Sequence, residues 1–194
     1  TKREKNMKHG IVVVGANGSG KTTFATGLAA ALGYTHMDIE TYSFYDSAIP
    51  YKSPRPREEV QRLLFSDMKK HERFVFSAVN GDFGEEINAL YDCVIYMEAP
   101  LSVRLERVRQ RSFAKFGSRV LKGGDLYEQE QQFLDFVATR TMDKTEMWLK
   151  KSSCPILYID GTKSVKDNVA MVKKHLSVLF PPLGRKHVDT SFNG

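Results

Sequence analysis

The sequence has few of the features that mark secreted or membrane proteins. It contains only two cysteines, Cys93 and Cys154, which lie far apart and form no C-x-x-C motif. They predict buried thiols of a cytoplasmic protein rather than a zinc site or a redox pair. No apolar run approaches the ~18 residues of a membrane span, and the N-terminus lacks the pattern of a signal peptide. The sequence therefore predicts a cytoplasmic location and no membrane partner.

Length and charge set broad limits on what the chain can be. Its 194 residues correspond to about one domain with a full core, and its 41% hydrophobic and 27% charged residues are typical of globular proteins. We expect one domain over residues 9–180, between a flexible arm at residues 1–8 and a tail at residues 181–194. The net charge of +6 favours an anionic partner without choosing among nucleotides, phosphorylated metabolites and nucleic acid.

One segment matches a phosphate-binding motif. Residues 15–22 follow the G-x-x-x-x-G-K-T pattern of a P-loop, between a β-branched run at residues 11–14 and a helical pattern from Thr22 to Leu32. Backbone N–H groups of such a loop surround phosphate oxygens, Lys21 would reach the β- and γ-phosphates, and the Thr22 hydroxyl would sit on Mg²⁺. The predicted cofactors are therefore ATP and Mg²⁺. The predicted binding residues are Gly15, Ala16, Asn17, Gly18, Ser19, Gly20, Lys21, Thr22 and Thr23, of which Lys21 is also catalytic.

Two acidic residues close the second predicted strand, which runs from Tyr34 to Asp38. The carboxyl ends of parallel strands border the ligand crevice, so Asp38 and Glu40 are expected beside the P-loop. There they could hold a magnesium-bound water or accept a proton from a substrate hydroxyl. The alternative is a solvated loop with ordinary acids. We predict that both bind substrate, and that Asp38 is also a catalytic residue and a metal ligand.

Three arginines fall together on one face of the helix predicted from Leu101, by the 3.6-residue period. They are Arg104, Arg107 and Arg111. Neighbouring guanidinium groups repel one another unless an anion lies among them, and they suit the charge of a transferring phosphoryl group. We predict that all three are catalytic, in a lid over about residues 104–125 whose basic loop at residues 113–125 closes over the nucleotide. The alternative is a solvated basic face paired with Glu98 or Glu106.

An insert at residues 41–72 separates the second strand from the third, which runs from Arg73 to Val79. It contains several aromatic residues and a predicted helix from Glu58 to Lys70, and it carries Arg55, Arg57 and Arg62. Such an insert is typical of an acceptor-binding flap, although a surface helical hairpin kept soluble by its charges has the same composition. The acceptor is expected between the flap and the end of the third strand. The predicted substrate-binding residues here are Arg62, Asn80, Gly81 and Asp82.

Together these segments resemble the P-loop kinases of small molecules, the adenylate kinase and shikimate kinase group. The resemblance rests on the P-loop, the strand end at Asp38, the Glu98-Ala99-Pro100 turn, the arginine-rich helix and the strand end at residues 159–162. It implies an α/β fold of the P-loop NTPase type, with a five-stranded parallel sheet in the order 2-3-1-4-5 flanked by helices. It also implies that the adenine base packs against Gly161, Thr162 and Lys163.

The resemblance leaves the acceptor open. Adenylate kinases end the third strand in Asp-Gly-Phe-Pro-Arg, whereas this chain has Asn80 to Gly84 and lacks the arginine. The segment from Asp38 to Glu40 is similar to the Asp-x-Asp pair of the branch that phosphorylates a hydroxyl. The segment from Gly123 to Gln129 is similar to one in uncharacterised bacterial adenylate-kinase-like proteins.

The predicted function is therefore transfer of the ATP γ-phosphoryl group to a small acceptor, either a nucleotide or a metabolite hydroxyl, by a monomer or homodimer. An ATP-hydrolysing regulatory protein and a kinase acting on a polynucleotide end remain as alternatives. A GTPase is disfavoured because the N-K-x-D and D-x-x-G motifs are absent.

Overall fold

Five parallel strands form one sheet in the order β2-β3-β1-β4-β5. The strands are β1 (Gly10–Val14), β2 (Thr35–Asp38), β3 (Phe74–Ala78), β4 (Cys93–Glu98) and β5 (Ile156–Asp160). The predicted sheet order is confirmed, and β1, β2 and β3 begin and end within one residue of the bounds predicted for the first three strands. All residues of β1 and β3 are buried, because helices cover both faces of the sheet and leave no position for a polar-out alternation.

The computed structural model describes residues 10–45 and 53–180 of the chain. The predicted arm at residues 1–8, the predicted tail at residues 181–194 and the part of the flap at residues 46–52 lie outside the described residues.

Helices cover the sheet on both sides. The helices of the described residues are α1 (Lys21–Leu32), α2 (Ile39–Ser43), α3 (Arg57–Lys70), α4 (Glu85–Asn88), α5 (Leu101–Phe116), α6 (Tyr127–Thr139), α7 (Asp143–Lys151) and α8 (Val165–Leu179), of which α5 and α6 pack against each other in a separate cluster. One face packs against α1 and α8 through side chains such as Phe24 and Val172, and the other against α3, α4 and α7 through side chains such as Leu64 and Trp148. Among the described residues, no helix is long and apolar enough to cross a membrane.

The register of the sheet places the ends of three strands side by side. Asp38 at the end of β2 pairs with Ser77 of β3, and Ser77 in turn pairs with Val13 of β1. The P-loop follows directly after β1, and the turn at Asn80 follows β3. The crevice expected at the carboxyl ends of parallel strands is therefore bordered by the P-loop and by Asp38.

The sequence predicted one loop over residues 113–125, and this prediction is wrong for residues 113–116. Helix α5 continues through Phe113 to Phe116, since this stretch contains no helix breaker, and it ends at Gly117, which has a φ of 60°. A 3₁₀ turn over residues 117–120 follows. Within this turn, Arg119 donates two hydrogen bonds to the carboxylate of Asp125, at 2.9 and 2.7 Å. The segment is thus a helix end and a braced turn rather than one open loop.

Gly81 is a buried position where any side chain would collide with the core. A Cβ atom there would lie 2.4 Å from Cη2 of Trp148, whose indole ring is itself buried in the cluster between the sheet and α7. The ring also packs edge-on against Tyr91, with the ring centroids 6.2 Å apart. Gly81 is thus a packing requirement of the turn that follows β3.

Replacing Gly81 with alanine should therefore lower the free energy of unfolding by roughly 1–3 kcal/mol, the usual cost of overfilling a packed core. Chemical denaturation followed by circular dichroism measures this loss. The same replacement in a Trp148→Leu background should cost much less, because leucine leaves room for the added methyl group. An equal loss in both backgrounds would show that the indole ring is not the obstacle.

Candidate active site

The P-loop is a tight turn held against its neighbours by close backbone contacts. Gly18 and Gly20 have φ values of 80° and 96°, which favour glycine. A Cβ atom on Gly15 would lie 2.5 Å from the carbonyl oxygen of Met97 in β4, and one on Gly18 would lie 2.5 Å from that of Arg104 in α5. The loop therefore has no room for side chains at these positions, and its backbone is fixed against β4 and α5.

Lys21 lies partly buried at the start of α1 among four charged side chains. Burial lowers the pKa of Lys21 from 10.5 to about 8. The negative charges of Asp38 and Glu40 act in the opposite direction, while the positive charges of Arg111 and Arg140 lower the pKa further. The predicted acids at the end of β2 and one of the predicted arginines are thus close enough to act on the P-loop lysine. A phosphate group bound here would offset the cost of the desolvated ammonium.

Asp38 is held through both of its carboxylate oxygens. Its Oδ1 accepts a hydrogen bond from the backbone N–H of Glu40, at 2.9 Å, and so caps the short helix α2. Its Oδ2 accepts a hydrogen bond from the hydroxyl of Ser77, at 3.3 Å. The side chain of Glu40 is exposed. Asp38 is therefore the fixed carboxylate of the predicted pair.

Two of the three predicted arginines use their N–H groups to hold the P-loop. Arg104 donates to the backbone carbonyls of Ala99, at 3.2 Å, and Asn17, at 3.4 Å. The hydrogen bonds of Arg107 go to three carbonyl oxygens, at 3.5, 3.0 and 2.8 Å: those of Gly18, Ser19 and Gly161. Arg111 is exposed, and its charge acts on Lys21. The predicted catalytic role of all three stays a prediction, and Arg111 is the best placed for it.

A cavity of about 350 Å³ lies between the P-loop and the turn that joins β5 to α8. Its walls include the P-loop residues Gly18, Gly20, Lys21, Thr22 and Thr23, the arginines Arg107 and Arg111, and the turn residues Gly161 and Lys163. The structure therefore brings the predicted phosphate-binding loop and the predicted adenine-binding turn to one cavity. Thr162 shapes the turn instead, since its N–H and its hydroxyl both donate to Oδ1 of Asp160, at 2.8 and 2.6 Å.

The predicted acceptor-binding residues lie less close together than the predicted nucleotide-binding residues. Arg62 is exposed on the face of α3 opposite to Val60 and Leu64, and its role as a substrate-binding residue stays a prediction. Arg55 is committed to the flap, where it donates to the carbonyl oxygens of Tyr42, at 3.1 Å, and Phe44, at 2.8 Å. Among the contacts of the described residues, the hydrogen bonds of Arg55 stay within the flap.

The turn at Asn80, Gly81 and Asp82 uses its polar side chains to shape itself. Oδ1 of Asn80 accepts from the N–H of Asp82, at 3.0 Å, and Oδ1 of Asp82 accepts from Nδ2 of Asn88, at 2.9 Å. Their role as substrate-binding residues stays a prediction. The side chains that reach this turn from the flap are Arg57, which donates to the carbonyl of Asp82 at 3.3 Å, and Gln61, which donates to that of Phe83 at 2.8 Å.

Arg140 is a site residue that the sequence analysis missed. It follows the last residue of α6, and its guanidinium donates to Oδ1 of Asn17 in the P-loop, at 3.2 Å, across 123 residues of sequence. The guanidinium also lies over the ring of Phe136, 5.4 Å from the ring centroid. The feature of the sequence that could have indicated this contact is an arginine at the break between the two helices that follow the lid. Gln61 was missed too, although it lies one turn after Arg57 on the same helix face.

Comparison with known proteins agrees with this geometry. A family model described as an AAA domain matches residues 11–115, from β1 to the end of α5. The chain belongs to this family. An uncharacterised protein of Bacillus subtilis, YqaC, is 32% identical over 179 residues, which cover 88% of this chain and 99% of that protein. A cytidylate kinase of Natronomonas pharaonis is 32% identical over 110 residues, covering 52% of this chain and 57% of that enzyme.

Solved structures of small-molecule kinases share the fold. Shikimate kinase from Acinetobacter baumannii has a TM-score of 0.57 at 14% identity, covering 90% of this chain and 96% of its own. A gluconokinase from Sinorhizobium meliloti has a TM-score of 0.53 at 13% identity, covering 90% and 98%. The predicted resemblance to P-loop kinases of small molecules is therefore confirmed at the level of the fold.

The desolvated ammonium of Lys21 gives a prediction about stability. The pKa of about 8 in the folded chain is below the unfolded value of 10.5, so the charged lysine destabilises the free protein at pH 7. Replacing Lys21 with methionine, which keeps the aliphatic length, should raise Tm by about 2 °C or more at pH 7 in the absence of nucleotide. The difference between the two proteins should shrink as the pH rises from about 8 towards 10.5, because the wild-type lysine then becomes neutral.

Differential scanning calorimetry at several pH values measures this difference. Lys163→Met is the matched control, since Lys163 lines the same cavity but is exposed, and its Tm should stay at the wild-type value. A lower Tm for Lys21→Met at pH 7 would contradict the idea that the buried charge is a cost.

Proposed function

We propose that this protein is an ATP-dependent phosphotransferase that moves the γ-phosphoryl group to a hydroxyl of a small molecule. The observation that carries the proposal is the fixed carboxylate of Asp38 beside the P-loop lysine. One group is suited to holding transferring phosphates, and the other to taking a proton from an acceptor hydroxyl. Asp38 ends β2, and Lys21 follows the P-loop that leaves β1, so both lie at the carboxyl edge of the same parallel sheet, where this type of fold binds its ligands.

The nucleotide would lie along the cavity between the P-loop and the β5–α8 turn. Its phosphates would contact the P-loop backbone and Lys21, and its base would lie against Gly161 and Lys163. Thr22 and Asp38 offer a hydroxyl and a carboxylate oxygen, the ligand type that Mg²⁺ prefers. A magnesium ion held by these two residues and the phosphates would supply neutralising charge. Among the described residues, no group of three or more His, Cys, Asp or Glu side chains could hold a metal ion.

In the proposed reaction the acceptor oxygen attacks the γ-phosphorus while its proton passes to the carboxylate of Asp38. The bond from the γ-phosphorus to the β,γ-bridging oxygen breaks, and ADP leaves. Arg111 and Arg140 act on Lys21 from the side of α5 and α6, so their charges are available to stabilise the phosphoryl group as it moves. The surroundings of Asp38 also support a role as base, because both oxygens are oriented before substrate arrives.

A nucleoside monophosphate is the second candidate acceptor. The 32% identity to the Natronomonas cytidylate kinase over 110 residues favours it. Its phosphate would need arginines rather than a base, and Arg57 is the flap arginine that reaches the turn after β3. A polynucleotide end and simple ATP hydrolysis are weaker candidates, which are supported by the net charge of +6 of the full sequence and by the P-loop.

Replacement of Arg107 with alanine should affect stability, whereas replacement of Arg111 with alanine should affect catalysis. Arg107 holds three backbone carbonyls, so its loss should lower the free energy of unfolding by roughly 1–3 kcal/mol. Arg111→Ala should leave stability unchanged and lower kcat by roughly 10²-fold, the scale of one lost charge donor to the transition state. Steady-state kinetics and denaturation measure the two effects. Arg109, exposed on the same helix, is the control, and a rise in KM for ATP alone in Arg111→Ala would contradict the assigned role.

The proposed function is tested by finding the acceptor. Thermal shift with MgATP and a panel of hydroxylated metabolites, nucleoside monophosphates and short oligonucleotides identifies ligands, because a ligand that binds only the folded state raises Tm. Hits are then assayed with γ-labelled ATP. We expect label in a hydroxylated metabolite and none in the Lys21→Ala reaction, which removes the phosphate contact without removing a core side chain.

Three results would contradict the proposal. Label in a nucleoside monophosphate would make the second candidate correct. Label in an oligonucleotide, with binding that weakens steeply as salt is raised, would make the polynucleotide end correct. Near wild-type turnover by Lys21→Ala would mean that the P-loop is not where the phosphates lie.

A further inference from the structure

A chain of hydrogen bonds runs from Thr26 of α1 to Asp38. The hydroxyl of Thr26 lies 3.2 Å from Nδ1 of His36 and 2.9 Å from the backbone carbonyl oxygen of Thr22, and its single proton goes to one of these two acceptors at a time. Nε2 of His36 lies 3.1 Å from Oγ of Ser77, and Oγ of Ser77 donates to Oδ2 of Asp38, at 3.3 Å. The chain therefore connects helix α1, strand β2 and strand β3 through side chains alone.

The sheet by itself positions Asp38 only indirectly relative to the phosphate site. Strand β2 is at the edge of the sheet and pairs with β3 alone, whereas the P-loop leaves β1, two strands away. It is also the shortest strand, with four residues, and the flap begins immediately after it. A short edge strand with one neighbour is a weak support for a group that must meet a phosphoryl group, since a displacement of about 1 Å can cost about 10²-fold in rate.

The buried, apolar surroundings of Ser77 indicate that its hydroxyl serves the contact with Asp38. It is the polar member of a strand whose other residues are apolar, Phe74, Val75, Phe76 and Ala78, and it is 1% exposed. A buried hydroxyl is costly unless it is hydrogen-bonded, and the described bonds of this one go to Asp38 and His36. Because a carboxylate oxygen accepts, the Ser77 hydroxyl donates to Asp38 and accepts from Nε2–H of His36. Nδ1 of the neutral ring then carries no proton and accepts from the hydroxyl of Thr26.

We propose that Ser77 and His36 are positioning residues that hold the carboxylate of Asp38 in register with the first turn of α1. The proposal rests on the proposed function, in which Asp38 takes the proton of the acceptor hydroxyl. Thr26 completes the connection, because it donates to Nδ1 of His36 from helix α1, whose first turn contains Lys21 and Thr22. The acceptor base and the phosphate site are thus fixed to one another by direct contacts and not only by the intervening strands.

A double-mutant cycle tests this role, with MgATP as substrate and water as the acceptor, so that no acceptor needs to be known. Release of labelled phosphate is followed under single-turnover conditions for the wild type, Ser77→Ala, Asp38→Asn and the double variant. We expect Ser77→Ala to lower the rate about tenfold or more, with the affinity for MgATP unchanged. In the Asp38→Asn background the same replacement should change nothing further, because the group that it positions is gone.

Two comparisons separate positioning from folding. His36→Gln keeps an N–H group that can reach Ser77 and should retain most of the rate, whereas His36→Leu should lose as much as Ser77→Ala. Ser66→Ala, at an exposed serine of α3, is the matched control and should behave as the wild type. Circular dichroism on every variant shows whether the fold is intact.

Additive losses in the cycle would overturn the proposal, because a residue that only supports the fold acts whether or not Asp38 is present. An unchanged rate in Ser77→Ala would overturn it as well. In both cases Asp38→Asn remains slow and the wild type still binds and turns over MgATP, so the proposed function stands. An unchanged rate in Asp38→Asn would overturn both proposals, because the carboxylate would then not act as the base. A wild type that neither binds nor hydrolyses MgATP would overturn both.

Discussion

The guanidinium of Arg107 is the contact on which the arrangement of the site depends. It bonds to the carbonyls of Gly18 and Ser19 in the P-loop and to that of Gly161 in the β5–α8 turn. Gly161 itself packs so closely that a Cβ atom would lie 2.5 Å from the carbonyl oxygen of Ser19. One charged group from α5 thus joins the two turns that face each other across the cavity. A P-loop needs its N–H groups turned towards phosphate, and donors that occupy its carbonyls from behind favour that orientation.

Much of the fold and part of the site could be predicted from the sequence because their causes are local. Apolar β-branched runs gave the strands, and the P-loop pattern with its flanking strand and helix gave the phosphate site. The position of Asp38 followed from topology, since parallel strands present their carboxyl ends at one edge. Register supplied the remaining detail, the pairing of Asp38 with Ser77, which no pattern in β2 alone encodes.

The rest could not be predicted because it depends on tertiary contacts. Helical period placed Arg104, Arg107 and Arg111 on one face, but it cannot say whether a guanidinium meets a ligand or a backbone carbonyl. The substrate-binding role of Gly81 stays a prediction, but the absence of a side chain there is explained by the ring of Trp148, 67 positions later in the sequence. Arg62 is different: Val60 and Leu64 already define the buried face of α3, and that pattern places Arg62 on the opposite, solvent-facing side.

The charges around Lys21 connect stability with binding. In the free protein a partly buried ammonium lies near two arginines, and the acids Asp38 and Glu40 only partly compensate, since the pKa of Lys21 still falls to about 8. Removing an ammonium group from water costs free energy unless an anion meets it. An anionic ligand would supply the negative charge that the folded chain lacks beside Lys21. The free energy that burial of the ammonium costs the free protein would then be recovered on binding and would add to the driving force for it. The same cleft that lowers the stability of the empty fold is therefore the one best suited to hold a triphosphate.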